Sequence, residues 1–169
     1  YDEMLREFGV PLEKVINRLV ELIDKHGVSH IVAHNGENYD KPILFNELSR
    51  LRFPLQTFSN IPWIDTRHDI PFDEEPHSRK LSHLALDHGF INPFPHRALF
   101  DVLTMLKVMG HYDFQKIVAY SQIPYITVRA MVSYDDRDKA KAKRYAWEKI
   151  GDKVFQKSWV KRIKETEFE

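Results

Sequence analysis

The chain has 169 residues, 43% of them hydrophobic, and its 25 Lys and Arg balance its 25 Asp and Glu. That length allows one ordinary domain plus an appendage, and the absence of cysteine excludes a disulfide framework and a thiolate metal site. No apolar run approaches membrane-spanning length and no signal peptide is visible, so we expect a cytoplasmic protein with no membrane partner.

The charges are unevenly distributed along the chain. From Arg129 to the end there are 12 basic residues against 8 acidic ones, so the tail is basic and the remainder is acidic. A net charge of zero argues against a protein that binds polyanions over its whole surface. An acidic body suits a cation site and a basic tail suits a phosphate backbone, although most single lysines are only solvated surface charges.

The amino-terminal part predicts helices before a short strand. Residues 2–8 are expected to form a short helix or arm. Residues 12–25 carry Val15 and Leu19 at helical spacing with Leu22 and Ile23, which predicts an amphipathic helix that covers a sheet. Residues 29–34 then predict a short buried strand. Because Tyr1 is not preceded by methionine, we expect the sequence to be a fragment or a truncated numbering.

The segment after this strand is the most informative in the chain. A buried strand carries its last residues to the rim of a sheet, and Gly36 in the following turn allows backbone and ligand to approach closely. Asp40 is then presented at the start of the next helix. Since Asp40 is followed by Lys41 and Pro42, it could equally be an ordinary helix N-cap with proline in the first turn.

The middle of the chain predicts three further elements. A helix marked by Leu44, Leu48 and Leu51 stops before Pro54, and residues 63–66 predict a strand whose Asp65 caps a helical turn. The acidic cluster at 73–75 is typical of a solvated loop. A small helix follows and ends at Gly89.

A long helix is expected from about Arg97 to Gly110, and it carries a second acid, Asp101. Its predicted core stripe is Leu99, Val102, Leu103 and Leu106. Asp101 lies off that stripe, beside Ala98, Met105 and Val108, and could be a surface acid. A carboxylate on an apolar face is costly unless a cation neutralises it. His96 and Asp101 would be roughly 140° apart on a regular helix, so both can face one site only if His96 precedes the helix.

The tail predicts a small β-α-β appendage, with strands at 126–132 and 154–163 and a helix at 135–147. Arg137, Lys141 and Arg144 would share one face of that helix. With Tyr145, Trp147 and Trp159 nearby in sequence, this face could hold a single strand of nucleic acid. The alternative is that these aromatic side chains form the core of so small a unit.

Two stretches carry a family resemblance: H-N-G-x-x-Y-D at 34–40 and H-x-A-x-x-D at 96–101. Together they resemble the second and third motifs of the DEDDh 3′→5′ exonucleases, which include the bacterial proofreading subunit and the mammalian three-prime repair exonucleases. The resemblance covers residues 12 to about 110. It implies a ribonuclease H-like α/β fold, with a mixed sheet flanked by helices, in a bacterial or phage-infected cell.

The predicted organisation is therefore an exonuclease domain over 1–112, a connector over 113–124 and the β-α-β appendage over 125–169. The phrase V-S-Y-D-D-R-D-K-A-K-A in the tail resembles a module of phage and bacterial exonucleases of this class. That resemblance implies no role for the appendage.

The resemblance also implies site residues. Asp40 and Asp101 match two of the four metal-binding acids of the family, and His96 matches its general base. His34, Asn35 and Gly36 lie where the family contacts the terminal nucleotide. Arg79 and Lys80, before the small helix, could contact phosphate or could be surface charges.

The chemistry requires two Mg²⁺ or Mn²⁺ ions held by several carboxylates, because these ions prefer oxygen ligands. Histidine suits the base because an imidazole titrates near working pH. The first family motif, Asp-x-Glu on a central strand, is absent, since Tyr1-Asp2-Glu3 has neither the spacing nor the strand. Two short strands alone would not be stable. We expect the strands bearing Asp-x-Glu upstream of Tyr1 or in a second chain.

Three functions stay open at this point. The first is a metal-dependent 3′→5′ exonuclease that releases nucleoside monophosphates from the free 3′ end of DNA, preferably single-stranded. The second is an exoribonuclease of the same superfamily, because the visible motifs do not contact the sugar in a recognisable way. The third is a nucleic-acid-binding or assembly module with an incomplete site.

Overall fold

A computed structural model describes residues 2–149 and 157–168, and the chain divides into two compact units, Tyr1–Ser121 and Gln122–Glu169. Both units mix helices with a small sheet, which confirms the predicted α/β class at this coarse level. No helix among the described residues is both long enough and apolar enough to cross a membrane.

Unit 1 contains seven helices and two strands within its described residues. The helices are α1 (Asp2–Phe8), α2 (Leu12–His26), α3 (Asp40–Arg50), α4 (Gln56–Ser59), α5 (Leu81–Asp87), α6 (Ala98–Met109) and α7 (Phe114–Ser121). The strands are β1 (Ile31–Ala33) and β2 (Trp63–Asp65). Both strands are shorter than predicted, but they lie within the predicted segments 29–34 and 63–66.

The two strands pair in parallel, with Ile31 opposite Trp63 and Ala33 opposite Asp65. The pairing extends one step further, because the Thr66 amide donates to the Ala33 carbonyl at 2.8 Å. Both strands therefore end at the same edge of the sheet. The turns that follow them meet there, and this edge carries the candidate site.

Unit 1 has two apolar clusters. The smaller one contains Ile16 of α2, Leu48 of α3 and Phe58 of α4. The larger one is built on β2, α5, α6 and α7 and contains Ile64, Ile70, Leu84, Met105, Val108, Met109 and Ile117. On α2 the predicted stripe is partly wrong, since Val15 and Leu19 are exposed while Ile16, Val20 and Ile23 pack into the smaller cluster.

The predicted core stripe of α6 is wrong. Its residues are exposed: Leu99 67%, Val102 47%, Leu103 52% and Leu106 51%. The helix instead buries Thr104, Met105, Val108 and Met109. The inward residues Asp101, Thr104, Met105 and Val108 have the same i, i+3, i+4, i+7 spacing as the predicted stripe, so periodicity could not choose between the two, and the sequence prediction favoured the more apolar one.

Four helices end with the same hydrogen-bond pattern, in which the chain turns into the left-handed region. The residue at this turn has a φ between 55° and 77°, and the four residues are Gly27, Arg52, Gly89 and Arg144. In each case its amide and the next amide bond back to carbonyls in the last helical turn. Glycine adopts this conformation without strain, whereas the two arginines pay a steric cost of about 1 kcal/mol.

Unit 2 contains β3 (Tyr125–Ala130), α8 (Arg137–Ala142), β4 (Ala146–Lys149) and β5 (Lys157–Lys164), followed by a 3₁₀ turn at Glu165–Glu167. The sheet is antiparallel with β5 between β3 and β4. The predicted helix over 135–147 is wrong beyond Ala142, because Arg144 turns left-handed and Trp147 lies on a strand. Of the strand predicted at 154–163, residues 154–156 lie outside the described residues.

Candidate functional site

The turn after β1 contains His34, Asn35 and Gly36. Asn35 has a φ of 66°, a left-handed conformation that asparagine tolerates better than most residues. Its carbonyl accepts the amides of Asn38 at 3.2 Å and Tyr39 at 3.1 Å, and its side-chain oxygen accepts from the Asn38 amide group at 3.1 Å. The turn is thus held in one shape by its own backbone and side chains.

Gly36 is buried where the turn folds back onto β1. A Cβ atom at this position would lie 2.6 Å from the Cβ of Ala33, well inside van der Waals contact. The sequence suggested that glycine allows a ligand to approach. In the structure the close approach is to Ala33 of the same chain, so a side chain here would displace the turn from the strand.

Asp65 fixes this turn from the neighbouring strand. It is 3% exposed, and its Oδ1 accepts the Asn35 amide at 2.7 Å and the Arg67 amide at 3.0 Å. Its Oδ2 accepts the Glu37 amide at 3.3 Å. The Asp65 amide itself donates to Asp69 Oδ2 at 2.8 Å. One carboxylate therefore ties the turn after β1 to the turn after β2.

The sequence assigned Asp65 only a local capping role. Its bond to the Arg67 amide fits that role, but its bonds to Asn35 and Glu37 cross 30 and 28 residues. They could have been predicted only by pairing the two strands in parallel, because parallel strands end at the same edge. The contact between Thr66 and His34 was missed for the same reason.

His34 is half-buried between Thr66 and Arg79. Its Nε2 lies 3.1 Å from the Arg79 carbonyl and its Nδ1 lies 3.0 Å from Thr66 Oγ1. Since a carbonyl oxygen can only accept, we place the proton on Nε2, and Nδ1 then accepts from the Thr66 hydroxyl, whose one proton it shares with the Ala33 carbonyl at 3.3 Å. Burial lowers the pKa of His34 below its ordinary value, so burial favours the neutral ring in the folded state.

Arg79 contacts both His34 and Arg67, and Lys80 follows it just before α5. The Arg79 guanidinium forms a two-pronged ion pair with Glu75, with N–O distances of 3.0 and 2.7 Å, and donates to the Arg67 carbonyl at 2.9 Å. The acidic cluster at 73–75 is therefore more than a solvated loop. Lys80 is exposed. The hydrogen bond between His34 and the Arg79 carbonyl places these two residues side by side, and Lys80 is the next residue along the chain.

Asp40 is the first residue of α3 and is exposed. The cap position is held by Tyr39, and no side chain among the described residues caps this helix. The backbone is instead closed by the Lys41 amide, which donates to the Gly36 carbonyl at 2.9 Å. The alternative explanation of Asp40 as an ordinary N-cap is therefore wrong, and its carboxylate is presented to solvent beside the turn.

Asp101 is half-buried on the inward stripe of α6, with Thr104, Met105 and Val108. Its Oδ1 accepts from the side chain of the buried Asn92 at 2.9 Å. The explanation of Asp101 as an acid on the far side of the helix is wrong, because the exposed side is the one that carries Leu99 and its neighbours. A carboxylate in this position needs partners, and Asn92 supplies one.

His96 precedes α6, which begins at Ala98, and is exposed. Its φ is 65°, a conformation that costs a non-glycine residue about 1 kcal/mol and that is concentrated at functional sites. The predicted condition that His96 lies outside the helix is thus met. Arg97 follows in an extended conformation, and its carbonyl accepts the Asp101 amide at 2.9 Å.

These residues do not form a complete metal site by themselves. Within residues 2–149 and 157–168, no group of three or more His, Asp or Glu lies close enough to hold a metal ion. Asp40, Asp101 and His96 would need further ligands to hold a pair of divalent ions.

The chain matches no protein-family model, and neither a curated protein nor a solved structure matches it. Function must therefore be inferred from the residues and their geometry.

Proposed function

We propose that the chain is the greater part of a metal-dependent 3′→5′ exonuclease of the DEDDh type, which hydrolyses single-stranded DNA from its 3′ end to nucleoside monophosphates. The observation that carries this proposal is where the two motif acids lie, since neither of them is the N-cap of its helix. Asp40 does not cap α3, and Asp101 lies on the buried stripe of α6. Acids placed in this way are what a site for divalent cations requires.

The turn beside Asp40 suits a nucleotide. Asn35 and its neighbours are pinned by Asp65 and by the packing of Gly36 on Ala33, so the backbone is rigid before a ligand arrives. Arg79 and Lys80 offer positive charge near this turn, although Arg79 is already paired with Glu75. Lys80 is therefore the better candidate for a phosphate contact.

Asp40 and Asp101 would hold the two ions together with carboxylates from outside the described residues, from an upstream strand or a second chain. Bound ions of this kind supply a metal-activated hydroxide and stabilise the leaving oxygen. His96 would take a proton from the attacking water. Its exposed position just before α6 leaves its ring free to move toward substrate.

The unfinished state of the sheet supports a ribonuclease H-like fold with further strands. Parallel strands are normally covered on both faces, and two strands of three residues do not form a stable sheet. The exposed apolar stripe of α6 and the exposed Val15 and Leu19 of α2 are surfaces that further strands would cover.

Hydrolysis of matched single-stranded DNA and RNA, labelled at the 5′ end, tests the proposal. The full-length protein with Mg²⁺ should produce a ladder that shortens from the 3′ end of DNA, and EDTA should abolish it. Faster cleavage of RNA would reassign the substrate. If neither strand is cut, the enzyme proposal fails.

Variants test the residues. Asp101→Asn and Asp40→Asn should each lose at least about a hundredfold in rate because they remove charge with little change of shape. Asp24→Asn, an exposed acid on α2, is the matched control and should keep full activity. His96→Ala should slow turnover about 10²- to 10⁴-fold while Mn²⁺ still binds in titration calorimetry. Near-normal activity of Asp101→Asn would remove it from the site.

A binding or assembly module with an incomplete site is the second candidate. It is favoured by the finding that no three potential ligands converge among the described residues. Residues immediately upstream of Tyr1 would discriminate, since Asp-x-Glu on a strand supports the enzyme. A full-length protein that binds single strands but cuts none would support the module.

A further inference from the structure

The sheet of unit 2 has two faces of different character. In an antiparallel sheet, residues directly opposite one another point to the same side, so the register sorts the strand residues into two sets. One side carries the buried residues Ser158, Val160 and Lys164. The other side, the tryptophan face, carries Ile126, Val128, Ala130, Trp147, Lys149, Lys157, Trp159, Lys161 and Ile163.

Two tryptophans lie side by side on this face. Trp147 and Trp159 are directly opposite in the ladder, with ring centroids 5.3 Å apart. Trp147 is 52% exposed, so it is not a core residue of unit 2, contrary to the explanation that its aromatic side chains serve only the core. The two ring planes are inclined by 53°, so Trp159 supports Trp147 from the side and the exposed face of the Trp147 ring is the surface suited to stacking.

The tryptophans are bracketed by positive charge. Among the described strand residues of this face, every charged side chain is a lysine. Lys149 lies directly opposite Lys157, and like charges in that position destabilise a sheet. Lys157, Trp159 and Lys161 follow one another along β5 at intervals of about 6.6 Å. A polyanion that runs along β5 would relieve the repulsion while it passes the aromatic rings.

Helix α8 is a weaker candidate than the sheet, although its basic face was the sequence-based hypothesis. Lys139 is paired with Asp136 at 2.8 Å and Lys141 with Asp138 at 3.0 Å. The Arg137 guanidinium lies over the Tyr134 ring, 4.3 Å from its centroid. The predicted third member, Arg144, lies beyond the end of the helix. The cations of α8 are thus largely compensated by its own acids.

We propose that the tryptophan face binds single-stranded nucleic acid, with bases stacked on Trp147 and Trp159 and backbone phosphates paired with Lys149, Lys157 and Lys161. Stacking requires unpaired bases and tolerates any base sequence, so the ligand is a single strand rather than a duplex. This binding is independent of hydrolysis, because none of the five residues belongs to the proposed catalytic set.

Fluorescence anisotropy of the whole protein with a labelled 20-nucleotide oligothymidylate tests this proposal. EDTA in the buffer prevents cleavage, and thermal unfolding checks that each variant is folded. Trp147→Ala should weaken binding about 5- to 100-fold, the range for loss of one stacked base. Trp147→Phe should keep most of the affinity. Tyr134→Ala is the matched control, since Tyr134 is also exposed beside a cation but lies outside the sheet, and it should bind as the parent does.

The salt dependence of binding separates phosphate contacts made by the three lysines from nonspecific electrostatic attraction to the protein. Alanine at Lys149, Lys157 and Lys161 together should reduce the slope of log K against log salt by about 2, or roughly 0.7 per phosphate contact. The charge-matched control, alanine at Lys139, Lys141 and Lys143, should change it much less. Equal effects of the two triple variants, equal binding by Trp147→Ala and Tyr134→Ala, or equally tight binding of duplex would each overturn the proposal.

Comparison of oligodeoxyuridylate with oligouridylate of the same length identifies the preferred sugar, and tight binding of either single strand supports the proposal. If the single strand does not bind in EDTA, the tryptophan face is not a binding site, while metal-dependent hydrolysis of a dinucleotide would still support the exonuclease. If the strand binds but nothing is cut, the exonuclease proposal fails and the binding surface stands.

Discussion

Replacement of Asp65 by alanine tests whether one buried carboxylate organises the candidate site. The side chain accepts the amides of Asn35 at 2.7 Å, Arg67 at 3.0 Å and Glu37 at 3.3 Å. Alanine removes both acceptor oxygens, and with them all three hydrogen bonds, at a position that is 3% exposed in the parent. The turn after β1 then loses its tie to the turn after β2.

The expected loss can be estimated bond by bond. A hydrogen bond to a charged group contributes about 1.5–3 kcal/mol. The Asn35 and Arg67 bonds are short and half-buried, whereas Glu37 is exposed and its amide can bind water instead. Counting the two short bonds gives a destabilisation of about 3–6 kcal/mol for Asp65→Ala. Asp65→Asn keeps one carbonyl oxygen and should cost about half as much.

Urea unfolding followed by far-UV circular dichroism measures these differences. Asp24→Ala is the control, because it removes an exposed acid from α2 and should change stability by less than about 0.5 kcal/mol. A cost for Asp65→Ala no larger than for Asp24→Ala would show that the carboxylate does not hold the turn. The same variant should also lose nucleotide binding, because the shape of the Asn35 turn depends on it.

Three further predictions concern the same region and the helix ends. Gly36→Ala should cost about 1–3 kcal/mol in urea unfolding, because its Cβ would meet that of Ala33 at 2.6 Å; an unchanged midpoint would contradict this. Gly89→Ala has open space but a φ of +77°, so thermal unfolding should show a smaller loss of about 1 kcal/mol, and a larger one would point to a contact. Burial lowers the pKa of both His34 and His68, so the unfolded chain takes up protons first. Stability should be full above about pH 6.5 and fall below it, by at most about 1.4 kcal/mol per pH unit for each ring. His34→Gln should flatten this dependence, and an equally steep one would exclude His34 as a cause.

Local sequence patterns predicted the elements that local physics determines. The apolar spacing and the stop at Gly27 predicted α2 to within one residue at its end, and Gly89 predicted the end of α5. The strands β1 and β2 were found from their β-branched and aromatic residues. In the tail, Arg144 occupies a left-handed position usually held by glycine, so no local residue pattern indicated that α8 ends there.

Contacts between distant residues could not be predicted in the same way. The role of Asp65 depends on the parallel pairing of two strands that are 30 residues apart, and nothing near Asp65 in sequence indicates it. The ion pair of Arg79 with Glu75 was hidden because the acidic cluster resembled a solvated loop. The alternation of side chains along the strands of unit 2 showed that Trp147 and Trp159 share one face only once the pairing register was known.

Helix α6 is the clearest case in which the better local pattern was the wrong one. It exposes Leu99, Val102, Leu103 and Leu106 and buries the stripe that carries Asp101 and Thr104. Burial of four large apolar side chains would contribute roughly 1.5–3 kcal/mol each, so the stability of unit 1 lacks this hydrophobic contribution. Thr104 avoids a penalty by donating to the Phe100 carbonyl at 2.7 Å, and Asp101 does so by accepting from Asn92. One orientation of α6 therefore both exposes the apolar stripe and turns Asp101 inward. This orientation is energetically reasonable if a further apolar layer covers the exposed stripe. The proposed additional strands would provide that layer over the exposed stripe, while Asp101 stays on the inward face of α6 with Asn92 as its partner.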